Sequence, residues 1–316
     1  MIIFEQNSGM AGMFQVEMHT VDSGGVEICG SRRVVAPWGK NMITNSGLDN
    51  MAAAGFMARC MIGAGNNAPA ASDTQLQSQL AVITGTVAQG PNSTTEGYNS
   101  IVGTYVFGQG VGTGIIGELA VAPASGNITT RALIRDQNGD PTTIVKGPQD
   151  VLTVTYQIRE YPNQNDVVGS VVNPHTSVEY QFTARTHNGT YPGRLMTWHR
   201  FGPVGGGTYD QHQLAADSGS LVPWTGTIPE GGATSKSSAL SAAAYVAGSY
   251  YRQVQYTFPE SRGNGNISRV FTDPTGNDSQ DFSQRFQFQA SFSPAIDKDN
   301  TKTLVITLRK SWGRHP

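Results

Sequence analysis

The sequence has few cysteines and few charged residues, and each shortage excludes a class of protein. Only two cysteines occur among 316 residues, Cys29 and Cys60. Their separation excludes the closely spaced thiolates of a zinc ribbon or a CxxC redox motif, so we expect both to be buried and reduced. Charged residues make up 14% of the chain and the net charge is −2. Such a chain has no positive field that would attract nucleic acid or anionic lipid.

Long apolar runs are also missing. The first residues, Met1-Ile-Ile-Phe-Glu-Gln-Asn-Ser8, have no basic segment and no apolar stretch of signal-peptide length. No run of about 18 apolar residues follows, so we expect no membrane span, and we expect the protein to fold in the cytoplasm where it is made. The length of 316 residues exceeds what one core usually organises, so two domains are predicted.

Short runs of alternating apolar and polar residues dominate what is present, as expected of β-strands with one packed face and one wet face. Examples are Met13–His19, Leu152–Ile158, Phe286–Ala290 and Leu304–Leu308. Most of the 38 glycines and 16 prolines lie between such runs, in turn signals such as Asn138-Gly139-Asp140-Pro141. Two short helical segments are predicted, one capped by Ser46 and one opened by the capping box Ser72-Asp-Thr-Gln75.

An approximate internal duplication indicates two related packing units. The first half contains Tyr105-Val-Phe107, Ile116-Gly-Glu-Leu119, Arg131-Ala-Leu-Ile134 and Leu152-Thr-Val-Thr-Tyr156. The second half repeats the order with Tyr256-Thr-Phe258, Ile267-Ser-Arg-Val270, Arg285-Phe-Gln-Phe288 and Leu304-Val-Ile-Thr-Leu308. The predicted fold class is therefore mainly β, with two related antiparallel β-sandwich domains of jelly-roll-like form and a few short helices.

The predicted domain organisation follows from this duplication. Residues 1–25 are assigned to an N-terminal arm and first strand, with Met1–Met10 as a free arm. Residues 26–161 are assigned to the first β-sandwich and residues 162–316 to the second. A cut between Glu160 and Val167 should therefore give two pieces, at least one of which folds alone.

Motifs that can carry chemistry are each better explained by β-structure. Gly112-Thr-Gly114-Ile-Ile-Gly117 fits GxGxxG, but the strand-like Glu118–Ala122 follows it and no βαβ pattern surrounds it. Two acidic segments, Asp136–Asp140 and Asp297–Asn300, offer oxygen ligands for calcium but lack the distal Glu of an EF-hand loop. We expect both to be hairpin turns.

Other catalytic and metal-binding patterns are also missing. Four histidines in the second half, His175, His187, His199 and His212, lie too far apart to form paired metal ligands. No GxSxG pentapeptide is present for a serine nucleophile. The sequence thus predicts a protein that is not an enzyme and has no cofactor and no metal. Glycan hydrolysis by a pair of scattered carboxylates stays open as a weaker alternative.

One stretch rich in glycine and proline carries aromatic residues that have little reason to be core. These are Tyr191, Trp198, Phe201, Tyr209 and Trp224. Aromatic side chains anchor subunit interfaces and also stack on sugars. Subunit contact, ordinary core packing and glycan contact therefore remain three interpretations of these residues.

Several segments of the chain share their pattern with a known group of proteins. They are Asn41-Met-Ile-Thr-Asn-Ser-Gly-Leu-Asp49, Ile62-Gly-Ala-Gly-Asn-Asn-Ala-Pro-Ala-Ala-Ser-Asp73, Ile116–Leu119 with Arg131–Asp136, Tyr245-Val-Ala-Gly-Ser-Tyr250, Phe292-Ser-Pro-Ala-Ile296 through Leu304, and Ser311-Trp-Gly-Arg314. In these segments the sequence resembles tail and tail-fibre structural proteins of tailed bacteriophages. The resemblance implies a location in the virion tail and a homo-oligomer, but not which part of the tail.

The sequence therefore leads to a structural hypothesis and two rivals. The first is a tail, baseplate or fibre-attachment protein whose partners are copies of itself and other virion tail proteins. The second is a receptor-binding adhesin that recognises a host surface glycan through the aromatic stretch. The third and weaker hypothesis is a glycan depolymerase.

Overall fold

The computed structural model describes residues 2–53, 55–91, 93, 95–173, 175–186, 214–223, 235–236, 239–272 and 288–316. Within these residues the chain is mainly β, with antiparallel sheets and one short helix, α1 (Asn45–Asn50), so the predicted β-rich class is confirmed. The strands of the first half are β1 (Ile2–Thr20), β2 (Arg33–Ile43), β3 (Arg59–Gly63), β4 (Gln79–Thr84), β5 (Thr86–Gln89), β6 (Asn99–Phe107), β7 (Gly114–Ile116), β8 (Glu118–Ala122), β9 (Thr130–Leu133), β10 (Ile144–Lys146) and β11 (Asp150–Pro162). Those of the second half are β12 (Val167–Val172), β13 (Glu179–Thr186), β14 (Leu214–Asp217), β15 (Ser235–Lys236), β16 (Ala239–Ala242), β17 (Tyr251–Phe258), β18 (Gly265–Thr272), β19 (Phe288–Lys298) and β20 (Leu304–Arg314).

The two helix predictions have different outcomes. A helix forms where one was expected, but its N-cap is Thr44 and not Ser46, because the Thr44 hydroxyl accepts the N–H of Gly47 at 2.8 Å. The capping box at Ser72–Gln75 opens no helix. Within this segment Asp73 accepts the N–H of Ala70 and an N–H of Arg131, so a turn that is tied to β9 forms there.

Strand β1 is 19 residues long and its side chains alternate between buried and more exposed along nearly its whole length. Its C-terminal part pairs antiparallel with β11 from Ser8 to Thr20 and with β2 from Gly12 to Met18. Residues Ile2–Met10 pair in parallel with β20, from Ile306 to Arg314. The prediction that the first ten residues form a free arm is therefore wrong for residues 2–10.

These pairings make β1 part of a twelve-stranded sheet. The strands follow the order β16-β17-β20-β1-β2-β9-β8-β3-β4, while β11 joins β1 to β6 and β6 joins β5. Because the sheet branches at β1, it has three ends, β16, β4 and β5. The last two are connected by the single residue Gly85, so this sheet nearly closes into a barrel. A Cβ atom at Gly85 would lie 2.3 Å from Cδ1 of Tyr105, which requires glycine at this sharp bend.

A first hydrophobic core lies inside this nearly closed sheet. Phe14 and Val16 of β1, Tyr105 of β6 and Tyr156 of β11 are all fully buried there. Trp312 of β20 also belongs to this core and donates its Nε1–H to the Leu48 carbonyl oxygen at 2.8 Å. The C-terminal strand therefore contributes an aromatic anchor to a core that consists mainly of first-half residues.

A second core lies between the strands β16-β17-β20-β1 and a six-stranded sheet, whose order is β12-β13-β19-β18-β14-β15. Phe4 of β1 is buried in it. Its ring lies 4.9 Å from Phe182, 5.1 Å from Phe288 and 5.9 Å from Phe292, measured between centroids. These are the separations at which aromatic rings attract each other, so the N-terminal strand contributes to a core that consists mainly of second-half residues.

The same antiparallel pairings occur twice along the chain, roughly 150 residues apart. Phe107 of β6 pairs with Leu152 of β11, and Phe258 of β17 pairs with Leu304 of β20. In the same way β3 lies between β4 and β8, as β14 lies between β15 and β18. The chain leaves the first sheet after Pro162 and enters the six-stranded sheet at Val167, but β16, β17 and β20 return to the first sheet.

The position of Phe4 gives a test of the shared strand. Replacing Phe4 by Ala should lower the free energy of unfolding by about 3–5 kcal/mol, because the cavity opens among three phenylalanine rings. Ile3→Ala on the exposed face of the same strand is the control and should change it by less than about 0.5 kcal/mol. Urea denaturation measures both, and equal effects would contradict the assigned role of Phe4.

Candidate subunit-contact surface

The five aromatic residues predicted as contacts, Tyr191, Trp198, Phe201, Tyr209 and Trp224, lie outside the described residues, as do His187, His199 and His212. The three interpretations of that stretch therefore stay predictions. The surface that the described residues present for contacts lies elsewhere, at one end of the twelve-stranded sheet.

Three loops meet at that end and are tied together by hydrogen bonds. They are the hairpin tip between β1 and β2 (residues 21–32), the loop 108–113 between β6 and β7, and the loop 147–149 between β10 and β11, and we call them together the loop end. The N–H of Val21 donates to the Gln149 carbonyl oxygen at 3.0 Å, and the N–H of Gly110 donates to that of Pro148 at 2.9 Å. Gln109 Nε2 donates to the Asp22 carbonyl oxygen at 3.3 Å.

Each loop is also held by its own polar side chains. Asp22 Oδ1 accepts the N–H groups of Gly24 and Val26, both at 2.9 Å. Asp150 accepts the Thr20 hydroxyl at 2.7 Å, and the buried Lys146 ammonium donates to the Gly108 carbonyl oxygen at 2.9 Å. Burial lowers the pKa of Lys146, and nearby Asp150 opposes that shift. The backbone of the loop end is therefore held by hydrogen bonds within each loop as well as between the loops.

The loop end and the ribbon of β7 and β10 that adjoins it present aliphatic side chains to water. They are Val26, Ile28 and Val111 in the loops and Ile115 and Val145 in the ribbon, with exposed fractions between 39% and 68%. Ile115 and Val145 lie directly opposite each other in the β7–β10 ribbon. Clustered exposed apolar side chains on ordered loops mark interaction surfaces. The sequence does show that Val26 and Ile28 interrupt a polar, Gly-rich turn, which is a signal of exposed apolar side chains. It does not show that three loops distant in sequence meet there.

Charged residues border the hairpin tip. Arg32 Nη2 lies 2.6 Å from Glu27 Oε2, and His19 and Glu17 extend this charged row along the outer face of β1. The hydrogen bond from Arg32 lowers the pKa of Glu27. Cys29 is exposed in the same tip while Cys60 is fully buried, so the prediction that both cysteines are buried is wrong for Cys29. A wide polar turn has no core into which that thiol can pack.

Two clusters of buried polar side chains connect separate parts of the fold through hydrogen bonds and ion pairs. Glu118 accepts backbone N–H groups of Gly65, Gln77 and Ser78 together with Nε–H of Arg131, and so attaches the segment 64–78 to β8. The second cluster joins β1, β11 and β20. There Glu160 Oε1 accepts the Ser8 hydroxyl at 2.9 Å and lies 2.5 Å from the Lys310 ammonium.

The second cluster combines a serine, a lysine and a carboxylate, which are residue types found in catalytic sites, but its buried position indicates a structural role. Glu160 and Lys310 are at most 1% exposed, so solvent and solutes do not reach them. Burial lowers the pKa of Lys310 to about 8, although the Glu160 charge opposes the shift. The pair holds three strands together at the point where the two halves of the chain meet.

A surface cleft among the described residues has a volume of about 670 Å³ and lies between the β12–β13 turn and the β19–β20 turn. Its floor is apolar, with Ile2, Tyr180 and Leu304 among the lining residues. The charges at its rim pair with one another, since Lys302 lies 3.3 Å from Asp297 and 3.0 Å from Asp299. This arrangement resembles a gap between strand ends more than a set of converging acids and bases.

The remaining motifs form turns and strands. Asp136 Oδ1 accepts the N–H groups of Asn138 and Asp140 inside the Arg135–Pro141 bridge, so the first acidic segment is a hairpin turn as predicted. Asp299 accepts the N–H of Thr301, but this second turn joins β19 and β20, which lie in different sheets, so the prediction of a hairpin is wrong there. The GxGxxG segment leads into β7 and the predicted strand at Glu118–Ala122 is confirmed as β8. Among the described residues no three His, Cys, Asp or Glu side chains are placed to hold a metal ion. No described helix is long and apolar enough to cross a membrane.

Comparison with known proteins gives no relative: no family model, no curated protein and no solved structure matches this chain.

The Glu160–Lys310 pair can be tested by a double-mutant cycle. Lys310→Met should lower the free energy of unfolding by about 3–5 kcal/mol, because it leaves the Glu160 carboxylate buried without its cation. Adding Glu160→Gln should recover part of that loss, since the buried charge is then removed. Lys302→Met, which breaks exposed ion pairs, is the control and should cost less than about 1 kcal/mol. A double variant less stable than Lys310→Met would show that the carboxylate is not an uncompensated charge.

Proposed function

We propose that this protein is a structural subunit of a bacteriophage tail that assembles with copies of itself and with other virion tail proteins through the loop end. The observation that carries this proposal is a set of five exposed aliphatic side chains, of which Val26, Ile28 and Val111 lie on the mutually tied loops and Ile115 and Val145 on the β7–β10 ribbon that adjoins them. Fully burying one such side chain contributes about 1.5–3 kcal/mol. A loop that is already ordered loses little conformational entropy on association, so more of this gain remains as affinity.

The proposed location is the virion tail, where the protein would be a tail, baseplate or fibre-attachment component. This location rests on the resemblance of Asn41–Asp49, Ile62–Asp73 and related segments to phage tail proteins. Two features of the described structure fit such a role. Strand β1 pairs with strands of the first half and brings Phe4 into the second core, so it joins the two halves, and the loop end lies at the surface. A structural subunit needs a joined body and a surface for its neighbours.

The fold can be specified further within this proposal. We infer that the two sheets facing each other across the Phe4 core form a β-sandwich of jelly-roll-like form. The recurring strand pairings support a second, related unit in the first half, which β1 closes into a nearly complete barrel.

A glycan-binding adhesin remains the second candidate, and one described residue favours it. Trp38 on β2 is 45% exposed on the outer face of the sheet, where an indole ring can stack on a sugar. Binding on a glycan array that is lost with Trp38→Ala would favour the adhesin.

Sedimentation equilibrium tests the assembly proposal. The double variant Val26→Asp, Val145→Asp should raise the dissociation constant of the assembly at least tenfold, because two charges then lie in a contact that excludes water. Its thermal midpoint should stay close to that of the unmodified protein, since both positions are exposed. Val246→Asp, which is 65% exposed in the loop before β17, is the matched control and should leave assembly unchanged.

The result that would overturn the proposal is equally direct. A protein that sediments as a single chain at every concentration, or a double variant that assembles like the control, would remove the loop end as a contact surface.

A further inference from the structure

Strand β12 ends the six-stranded sheet and, among the described residues, pairs only with β13. Its sequence is Val167-Val-Gly-Ser-Val-Val172, without a charge or a proline. The side chains of Val168 and Val172 are 73% and 54% exposed. Natural proteins protect edge strands with charges, prolines or bulges, because unpaired backbone groups recruit further strands. An unprotected edge with exposed valines is therefore suited to pairing.

The hydrogen-bond pattern identifies which groups of β12 are open. The N–H of Asn173 donates to the Val178 carbonyl oxygen at 2.8 Å, which closes the β12–β13 turn. Antiparallel strands alternate between residues that bond to the partner and residues that point away from it. Counting back from Asn173, the N–H and C=O groups of Val168, Ser170 and Val172 point away from β13.

We propose that this edge, which we call the β12 edge, binds the β12 edge of a second copy of the chain in antiparallel orientation, with a two-fold axis at Ser170. The three outward-pointing residues then form three bonded pairs. Val168 faces Val172 of the second copy, Ser170 faces its own counterpart, and Val172 faces Val168. Each strand has three open N–H groups and three open C=O groups, and they form six hydrogen bonds across the axis, as an isologous interface requires.

The side chains select this register over its neighbours. With the axis at Ser170, the exposed valines form cross-strand pairs on one face, which stabilise a sheet by roughly 0.2–1 kcal/mol each. On the other face Val171 lies opposite Gly169 of the second copy. A Cβ atom at Gly169 would lie 2.6 Å from Cζ of Phe182, so the Phe182 ring covers that glycine and offers Val171 an apolar neighbour. A shift by two residues loses the valine pairs.

This inference deepens the assembly role proposed above and rests on it, since it names the partner and the surface. The two six-stranded sheets would become one continuous sheet across the two-fold axis. Because the loop end belongs to the other sheet, it stays available for a second kind of contact. A subunit with one isologous contact and one further contact can form extended assemblies.

Cysteine cross-linking tests the axis directly. Residues facing each other in a bonded antiparallel pair have Cα atoms about 5.5 Å apart, within the roughly 4.4–6.8 Å that a disulfide spans. Ser170→Cys in a Cys29→Ser background should therefore form a covalent dimer on mild oxidation. Gln181→Cys in the same background is the matched control, because Gln181 pairs with Ser170 in register but lies one strand further from the axis. It should remain a single chain on a non-reducing gel.

A second variant, Ser170→Pro, removes an outward N–H and leaves the bonds to β13 in place. It should raise the dimer dissociation constant at least tenfold at unchanged circular dichroism. Cross-linking at Ser170 and not at Gln181, together with this weakening, supports the β12 edge. An assembly that persists without cross-linking at Ser170, or that Ser170→Pro leaves intact, overturns the inference but not the proposed function. A single chain at every concentration overturns both.

Discussion

The structure depends on the parallel pairing of β1 with β20. Nine residues of each strand align, from Ile2 with Ile306 to Met10 with Arg314, and the two chain segments come from opposite ends of the sequence. Each strand also brings an aromatic side chain into the core that the other half of the chain mainly builds: Phe4 enters the second core and Trp312 the first. The two halves are therefore joined by exchanged core residues.

Joining the two halves in this way requires the burial of charged groups where the three strands meet. Where β1, β11 and β20 run side by side, Glu160, Lys310 and Ser8 are buried together, although an apolar junction would avoid the desolvation of two charges. Such a pair tolerates one register only, because a shifted strand would leave a charge buried without its partner. The pair thus explains how two long strands with repetitive alternation find a single alignment.

The alternation of apolar and polar residues within each segment was sufficient to predict many of the strands, but it could not predict how the first and last strands pair. The alternation in Met13–His19, Leu152–Ile158 and Leu304–Leu308 gave strands at the right places, because the period of two is a property of each segment alone. The same alternation continues through Ile2, Phe4 and Gln6, yet no local signal states that a partner strand some 300 residues away will pair with it. The loop end was missed for the same reason, since its three loops are brought together by tertiary hydrogen bonds. The segment Ser72–Gln75 shows the opposite case, because its local pattern predicts the start of a helix and yet no helix forms there.

Strand β1 completes the second core, and separating the two halves of the chain tests most directly whether that core needs it. A chain cut between Pro162 and Val167 leaves the C-terminal piece without residues 2–10. We expect that piece to show no cooperative thermal transition by calorimetry, and to regain one when a peptide of residues 2–10 is added. A C-terminal piece that unfolds cooperatively without the peptide, at the midpoint of the intact protein, would contradict the account.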